Sequence, residues 1–291
     1  MEESKDGMTF WDHLDELRWT LLRAVAALVI FAIFGFIVMP YIYDSYILGP
    51  TRADFFLYKY LCKVTTLIPF IPDFCDDTFS IKIININLAS QFFRHMTTSF
   101  WLALILTFPY LVFEVWRFIS PALYASEKRS ISLVFIFGTA MFFLGCMVGY
   151  SMVFPITLRF LATYELSASI ENQISLDSYM DNFLMLVFIM GVVFELPLLS
   201  WLLSKLGLLN RSFFQKFRRH AIVGLLVMSA IITPSGDPFT LMVVFIPLYF
   251  LFELSRFMVK PAPKEDEDED DESENDEDDE ETDLPYPELR D

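Results

Sequence analysis

The chain has 291 residues, of which 55% are hydrophobic and 32 are phenylalanine, and its mean hydropathy is +0.46. This composition leaves too little polar surface for water on all sides, which excludes an ordinary soluble domain. The formal net charge of −17 is concentrated in residues 265–283, where 16 of 19 residues are acidic. The rest of the chain is therefore nearly neutral, and no nucleic-acid partner is predicted.

Six apolar stretches with at most one charge each are candidates to cross the roughly 30 Å of a bilayer's hydrocarbon. They are residues 24–43, 96–113, 130–158, 182–204, 221–236 and 238–252. The third is long, about 43 Å at 1.5 Å per residue, and is expected to tilt or to project beyond the bilayer. The last two are short. The sequence predicts an all-α, polytopic membrane protein with six transmembrane helices.

Lys and Arg residues are unevenly distributed among the loops. They are enriched before the first span, between the second and third, between the fourth and fifth, and after the sixth. The positive-inside rule then predicts that both termini are cytoplasmic. Residues 1–23 are expected to form an amphipathic cytoplasmic segment without a cleavable signal peptide, residues 24–257 the membrane domain, and residues 258–291 a disordered acidic tail.

The predicted orientation places the long loop between the first two spans on the oxidising side of the membrane. This loop contains Cys62 and Cys75. A disulfide between them and a pair of reduced cysteines are both compatible with the sequence.

Motifs for catalysis or cofactor binding are missing from the sequence. The three histidines are scattered, and there is no glycine-rich phosphate loop and no H-E-x-x-H motif. We therefore predict no enzyme activity, no cofactor and no metal site.

Glu195 lies near the middle of the fourth apolar stretch, and Pro197 follows it. A charged side chain costs roughly 2.5 to 3.5 kcal/mol at the centre of a spanning helix, so Glu195 needs a partner. Pro197 has no amide hydrogen and predicts a kink. Glu195 could contact a helix of another protein, relay protons or bond to a Ser or Thr of the bundle.

A proton-coupled secondary transporter that uses Glu195 is the main alternative function. Such transporters usually need several ionisable residues at membrane depth and often show internal repeats. This sequence has one obvious residue of that kind and no visible repeat, which argues against the transporter.

Two further patterns have a purely structural interpretation. Ser126 is suited to cap the third helix, with Glu127 favourably placed in its first turn. Gly145 and Gly149 form a G-x-x-x-G pattern, which allows another helix to approach closely and predicts packing within the bundle.

Three stretches together resemble the TatC family, the multispanning receptor of the twin-arginine protein translocase. They are His-Leu-x-Glu-Leu-Arg at residues 13–18, Trp-x-Phe-Ile-x-Pro-Ala-Leu-Tyr-x-x-Glu-x-Arg at residues 116–129, and Phe-Glu-x-Pro at residues 194–197. The resemblance runs from about residue 10 to residue 257, with six spans in register.

The resemblance implies a receptor for folded proteins that carry an Arg-Arg signal peptide. By this resemblance Glu127 is central to binding, with Glu16 and Arg18 beside it and Arg129 in the same motif. Carboxylates can form bidentate, charge-assisted bonds with such arginines. The family often has a base where this chain has Thr20, so a basic pair at that position is not expected.

The resemblance also implies location and partners. Members lie in the bacterial cytoplasmic (inner) membrane, self-associate and work with the single-span subunits TatA and TatB in transport driven by the proton motive force. The position of Glu195 and Pro197 is implied to contact these partner helices.

Overall fold

The computed structural model describes residues 10–65, 79–119, 128–167, 169–170, 172–205, 207, 209–233 and 235–259. The acidic tail, which the sequence predicts to be disordered, lies outside these residues. In chain order the helices are α1 (Phe10–Ile42), α2 (Phe56–Thr65), α3 (Ser90–Ile119), α4 (Lys128–Val148), α5 (Phe154–Thr163), α6 (Leu176–Val193), α7 (Leu196–Lys205), α8 (Arg211–Lys216), α9 (Arg218–Ile232) and α10 (Pro238–Met258). Two short strands, β1 (Ile83–Ile84) and β2 (Ile174–Ser175), pair in parallel.

Five helical stretches of the described chain are long and apolar enough to cross a membrane. They are Leu14–Thr51, Ser90–Val115, Phe135–Thr163, Leu176–Lys205 and Pro238–Met258. The fifth predicted span corresponds to α9, which has only 15 residues and is short, as predicted. The protein is thus a polytopic and predominantly helical membrane protein, and the predicted all-α fold class is confirmed.

Several helices extend beyond the predicted spans. Helix α1 begins at Phe10, so most of the predicted N-terminal segment is the first part of this helix. Helix α10 continues to Met258, past the charged Glu253, and has 21 residues instead of the 15 predicted for this span. The third span contains a π-helical turn (Gly149–Val153) between α4 and α5, where Pro155 follows.

The centre of the bundle is the contact between α4 and α6. A Cβ atom added at Gly145 would lie 2.5 Å from the carbonyl oxygen of Met190 and 2.8 Å from the Cα of Gly191. Only glycine permits this approach of the two backbones. The G-x-x-x-G pattern therefore packs within the bundle, as predicted, and Phe142, Leu186 and other fully buried side chains fill the surrounding core.

The fourth span is divided into two helices next to Pro197. Helix α6 ends at Val193, Phe194 and Glu195 form a turn, and α7 begins at Leu196. The proline cannot donate to the carbonyl four residues earlier, so the regular hydrogen-bond pattern is interrupted at this point. The helix is thus interrupted where the sequence predicts a kink, and Glu195 lies at the break between the two helices.

The directions of the helices define two ends of the bundle, which we call the near end and the far end. At the near end, α1 begins, α3 ends and α10 ends; at the far end, α3 and α6 begin beside β1 and β2. Arg94 of α3 forms ion pairs there with Asp177 and Asp181 of α6, at 2.7 Å for the Nε to Asp177 Oδ1 distance. These ion pairs join the starts of α3 and α6.

Candidate functional site

The near end carries two of the predicted peptide-binding residues, and both lie on α1. Glu16 is half-buried and Arg18 is exposed. Trp19 beside them is also exposed, at 54%. The start of α1 therefore presents a carboxylate, a guanidinium and an indole from one continuous helix.

The other two predicted residues belong to the connection between α3 and α4. Glu127 lies outside the described residues, as does the predicted cap Ser126. Arg129 lies in the first turn of α4, but its side chain is outside the described part of the structure. The predicted grouping of Glu127 with Glu16 therefore stays a prediction.

A bidentate ion pair joins α1 to α3 at the same end of the bundle. The Arg23 Nε donates to Glu114 Oε1 at 3.0 Å, and the Arg23 Nη2 donates to Glu114 Oε2 at 2.9 Å. The Tyr110 hydroxyl donates to Glu114 Oε1 at 2.8 Å, and Arg23 Nη2 also donates to the Thr20 hydroxyl at 3.1 Å. The Glu114 side chain is 3% exposed and that of Arg23 is 33% exposed.

Thr20 of α1 also belongs to this cluster. Thr20 is buried, and its hydroxyl accepts a bond from Arg23 one turn further along α1. The Arg23 guanidinium group thus bonds to Thr20 on its own helix and to Glu114 on α3.

A second cluster with the same residue types joins α9 to α10. Arg218 lies 2.8 Å from Glu253 and donates to the Tyr249 hydroxyl at 2.7 Å, and Tyr249 donates to Glu253 at 3.1 Å. Arg256 adds a contact to Glu253 at 3.5 Å. Glu253 is 20% exposed and Arg218 is 49% exposed, so this cluster is the more hydrated of the two.

Glu195 faces α4 from the break between α6 and α7. A Cβ added at Gly138 would lie 3.3 Å from Glu195 Oε2, so the carboxyl group packs against this glycine. The buried Glu195 Oε1 has no hydrogen-bond partner within the described residues, and neither has the Thr139 hydroxyl nearby in α4. Among the described residues, a bond between this oxygen and a Ser or Thr of the bundle is therefore not formed.

The cysteines differ in environment. Cys62 lies on α2, is half-buried and is disulfide-bonded. Cys75 lies outside the described residues, so its pairing with Cys62 stays a prediction. Cys146 is a free, buried thiol beside Gly191 in the core, consistent with a packing role.

The sequence motifs do not predict the pairing of Arg23 with Glu114. In the sequence, Arg23 directly precedes the first predicted span and Glu114 directly follows the second. Consecutive spans run antiparallel, so the start of one lies level with the end of the next. Opposite charges at these two positions are the signal that could have revealed the pair.

In the part of the chain that the structure describes, no three His, Cys, Asp or Glu side chains are arranged to hold a metal ion.

Comparisons with known proteins agree on one family. The family model described as "Sec-independent protein translocase protein (TatC)" matches residues 12–247. The TatC protein of a Blattabacterium from Periplaneta americana is 32% identical over 256 residues, which cover 88% of this chain and 96% of the relative. That of Deinococcus radiodurans is 30% identical over 260 residues, with 88% of each chain covered.

Two solved structures are also similar over most of the chain. A crystal structure of the twin-arginine translocase receptor TatC in DDM has a TM-score of 0.68 at 28% identity, and it covers 84% of this chain and 98% of its own. Another crystal structure of a TatC receptor has a TM-score of 0.64 at 27% identity, with 84% and 97% covered.

Proposed function

Because this chain belongs to the TatC family of twin-arginine protein translocases, we propose that it binds Arg-Arg signal peptides and recruits single-span partner subunits. It is a multi-pass membrane component of a translocase and not an enzyme. The distribution of Lys and Arg supports cytoplasmic termini in a bacterial inner membrane. The observation that carries the proposal is the family match from residue 12 to residue 247, which includes all three motif stretches.

In this proposal, Glu127 and Glu16 hold the two arginines of the signal peptide, with Arg18 and Arg129 beside them. A guanidinium group presents a planar fork of donors that a carboxylate can accept in bidentate fashion. The half-buried position of Glu16 supports the assignment, since such a bond is screened less by water and salt than one on a fully exposed surface.

Peptide binding to the full-length protein in lipid nanodiscs tests this assignment. We expect an Arg-Arg signal peptide to bind and a Lys-Lys variant to bind much more weakly. Glu16→Ala and Glu127→Ala should each reduce binding of the Arg-Arg peptide. Glu165→Ala is the matched control, because Glu165 is an exposed carboxylate beyond α5, at the far end. Unchanged binding in the Glu16→Ala, Glu127→Ala double variant would refute the assignment.

We further propose that Glu195 and Pro197 form a contact for the helix of a single-span partner. The support is the buried Glu195 Oε1, which has no hydrogen-bond partner within the described residues and lies at a break in the span. A buried polar atom without a partner is costly, so a donor from a second protein would be favoured there.

Comparison of Glu195→Gln with Glu195→Ala separates a contact from a proton relay. Glutamine retains hydrogen-bonding atoms but cannot exchange a proton in the required range. A contact predicts that Gln keeps much of the partner crosslinking and Ala loses it, with Arg-Arg peptide binding unchanged in both. Equal failure of the two variants favours the relay, and normal crosslinking in Ala removes Glu195 from the partner site.

The predicted disulfide and the acidic tail complete the proposal. We propose that Cys75 is the disulfide partner of Cys62. Labelling of both thiols in denatured, non-reduced protein would refute this pairing.

The acidic residues 265–291 are proposed to attract basic peptides weakly, because salt screens the charges of this segment over about 8 Å. Export should survive their deletion, and complete loss of export from a stably inserted truncation would contradict this.

A further inference from the structure

We propose that the Arg23–Glu114 pair fixes the rotation of α1 against α3 and thereby positions the proposed peptide-binding residues Glu16 and Arg18 of α1. This inference rests on the proposed function, since it concerns how the same site is assembled. Neither residue belongs to the three motif stretches, and neither is proposed to touch the peptide.

The pair joins segments that are distant in sequence. Arg23 follows Glu16 by seven residues and Arg18 by five on the uninterrupted helix α1, so all three move together. Glu114 lies five residues before the end of α3 at Ile119, and the connection that contains Glu127 begins there. The pair is therefore a direct polar link between α1, which carries Glu16 and Arg18, and α3.

The hydrogen bonds of the cluster restrain both the distance between the Arg23 and Glu114 side chains and the orientation of one side chain relative to the other. Two parallel bonds of 2.9 and 3.0 Å restrain the guanidinium plane against the carboxylate. Tyr110 holds the carboxylate from its own helix, and Thr20 holds the guanidinium from its own helix. Each side chain of the pair is thus also restrained by a hydrogen bond within its own helix. Arg23→Lys would keep the positive charge but would remove the planar group that forms two parallel bonds.

Another described polar contact between α1 and α3 lies at the far end, where the His95 ring bonds to the Phe36 carbonyl oxygen at 2.9 Å. In the most apolar 18-residue window of the first span, only 6% of the residues are buried within the protein. Apolar contacts with lipid do not define a rotation of the helix, because lipid is equally apolar on every side. A directional ion pair does define one. Rotation of α1 would move Glu16 around the helix axis, away from the arginine it is proposed to hold.

The cluster around Arg218 provides a matched control. It contains the same three residue types, with the tyrosine again four residues before the glutamate, and it also joins two helices. It connects α9 to α10, neither of which carries a proposed peptide-binding residue. A change there disturbs a similar cluster without altering the relation between α1 and α3.

The test measures binding of Arg-Arg and Lys-Lys peptides, together with thermal stability, for the full-length protein in nanodiscs. We expect Arg23→Gln and Arg23→Lys to weaken Arg-Arg binding roughly tenfold and to reduce its preference over Lys-Lys. Arg218→Gln should lower the melting temperature while both peptide affinities stay at the wild-type values. The swap of Arg23→Glu with Glu114→Arg should recover part of the lost binding.

The outcomes separate the inference from the function on which it rests. Wild-type protein that does not prefer the Arg-Arg peptide refutes the proposed function itself. If wild type prefers it but Arg23→Lys binds equally well, only the positioning role is refuted. Equal weakening by Arg23→Lys and Arg218→Gln would also refute it, because general loss of stability would then explain both. Should Arg23→Gln fail to insert, Arg23→Lys, which keeps the charge, carries the test.

Discussion

Helices α4 and α6 meet through glycines in the middle of the bundle, whereas α1 lies against α3 with most of its surface toward lipid. In the most apolar window of the first span 6% of the residues are buried, compared with 56% for the third and fourth spans. At α4, backbone atoms of α6 approach so closely that Gly145 has no room for a side chain. At α1, one glycine contact is supplemented by the polar cluster of Arg23 and Glu114.

The difference shows two ways of fixing a helix in a membrane. Close packing of small residues provides many weak contacts that depend on shape. Helix α1 packs on one side against α3, closely at Gly35, and adds directional bonds at Arg23. We therefore expect the central interface to govern the stability of the whole bundle and the peripheral one to govern the placement of α1.

The largest effect is expected from Gly145→Leu. Its Cβ alone would lie 2.5 Å from a backbone oxygen of α6 and 2.7 Å from the Phe194 Cβ, and backbone cannot move aside cheaply. We expect the free energy of unfolding to fall by about 3 kcal/mol, measured as thermal or denaturant unfolding in detergent. Gly224→Leu is the control, because nothing lies within 4 Å of its position in α9. Similar losses in both variants would contradict the central role of Gly145.

A smaller loss is expected from Gly35→Ala in α1. Its new Cβ would lie 3.0 Å from the carbonyl oxygen of Ser99 in α3. Since α1 has lipid on its other sides, it can shift away by a few tenths of an ångström. We expect a loss of about 1 kcal/mol in unfolding free energy, together with altered crosslinking between α1 and α3. A loss as large as that of Gly145→Leu would show that the peripheral interface is as rigid as the central one.

The smallest effect should come from a helix cap that belongs to neither interface. Asp237 precedes α10, and its Oδ1 accepts a bond from the Thr240 amide at 2.7 Å. Asp237→Ala should lower the free energy of unfolding by about 0.5 kcal/mol, at the low end of the range for helix caps. Combined with Gly145→Leu the two losses should add, because the sites share no contact. A clearly non-additive result would indicate that the last hairpin and the central interface form one unit.

The same cap predicts a dependence on pH. Burial raises the pKa of Asp237, but hydrogen bonds from the Ser235 hydroxyl and from Thr240 outweigh it and hold the pKa below its usual value. The folded-state pKa is thus lower than the unfolded value of about 3.9, so the charged cap stabilises above that pH and its contribution disappears as the pH falls through the folded pKa. Asp237→Asn, which cannot titrate, should lack this component. An unchanged acid profile in that variant would contradict the assignment.

The extent to which the fold could be predicted differs among these regions. The spans, the helix break next to Pro197 and the packing of Gly145 follow from local sequence, because each depends on composition or on spacing within one helix. The end of α10 was placed too early, since Glu253 looks like a boundary charge when its neutralisation by Arg218 is unknown. Partners on different helices depend on the relative rotation of those helices, which periodicity along one helix does not define.

The candidate site was predictable to a different degree. The motif residues Glu16 and Glu195 could be singled out, one by resemblance and the other by its cost in an apolar span. The partners Tyr110 and Thr20 could not, because each is an ordinary residue on its own helix. Their importance comes only from the ion pair that they flank.

Helix α1 extends without a break from Phe10 to Ile42, about 50 Å at 1.5 Å per residue, and its only proline is Pro40, close to the far end. A hydrocarbon layer of roughly 30 Å leaves about 20 Å of this rod outside. No proline interrupts the hydrogen-bonded backbone of this helix between Phe10 and Met39. Glu16 lies near one end of the helix, and Met39, which is fully buried, lies near the other. A tilt of α1 would therefore change the surroundings of both residues, on opposite sides of the membrane.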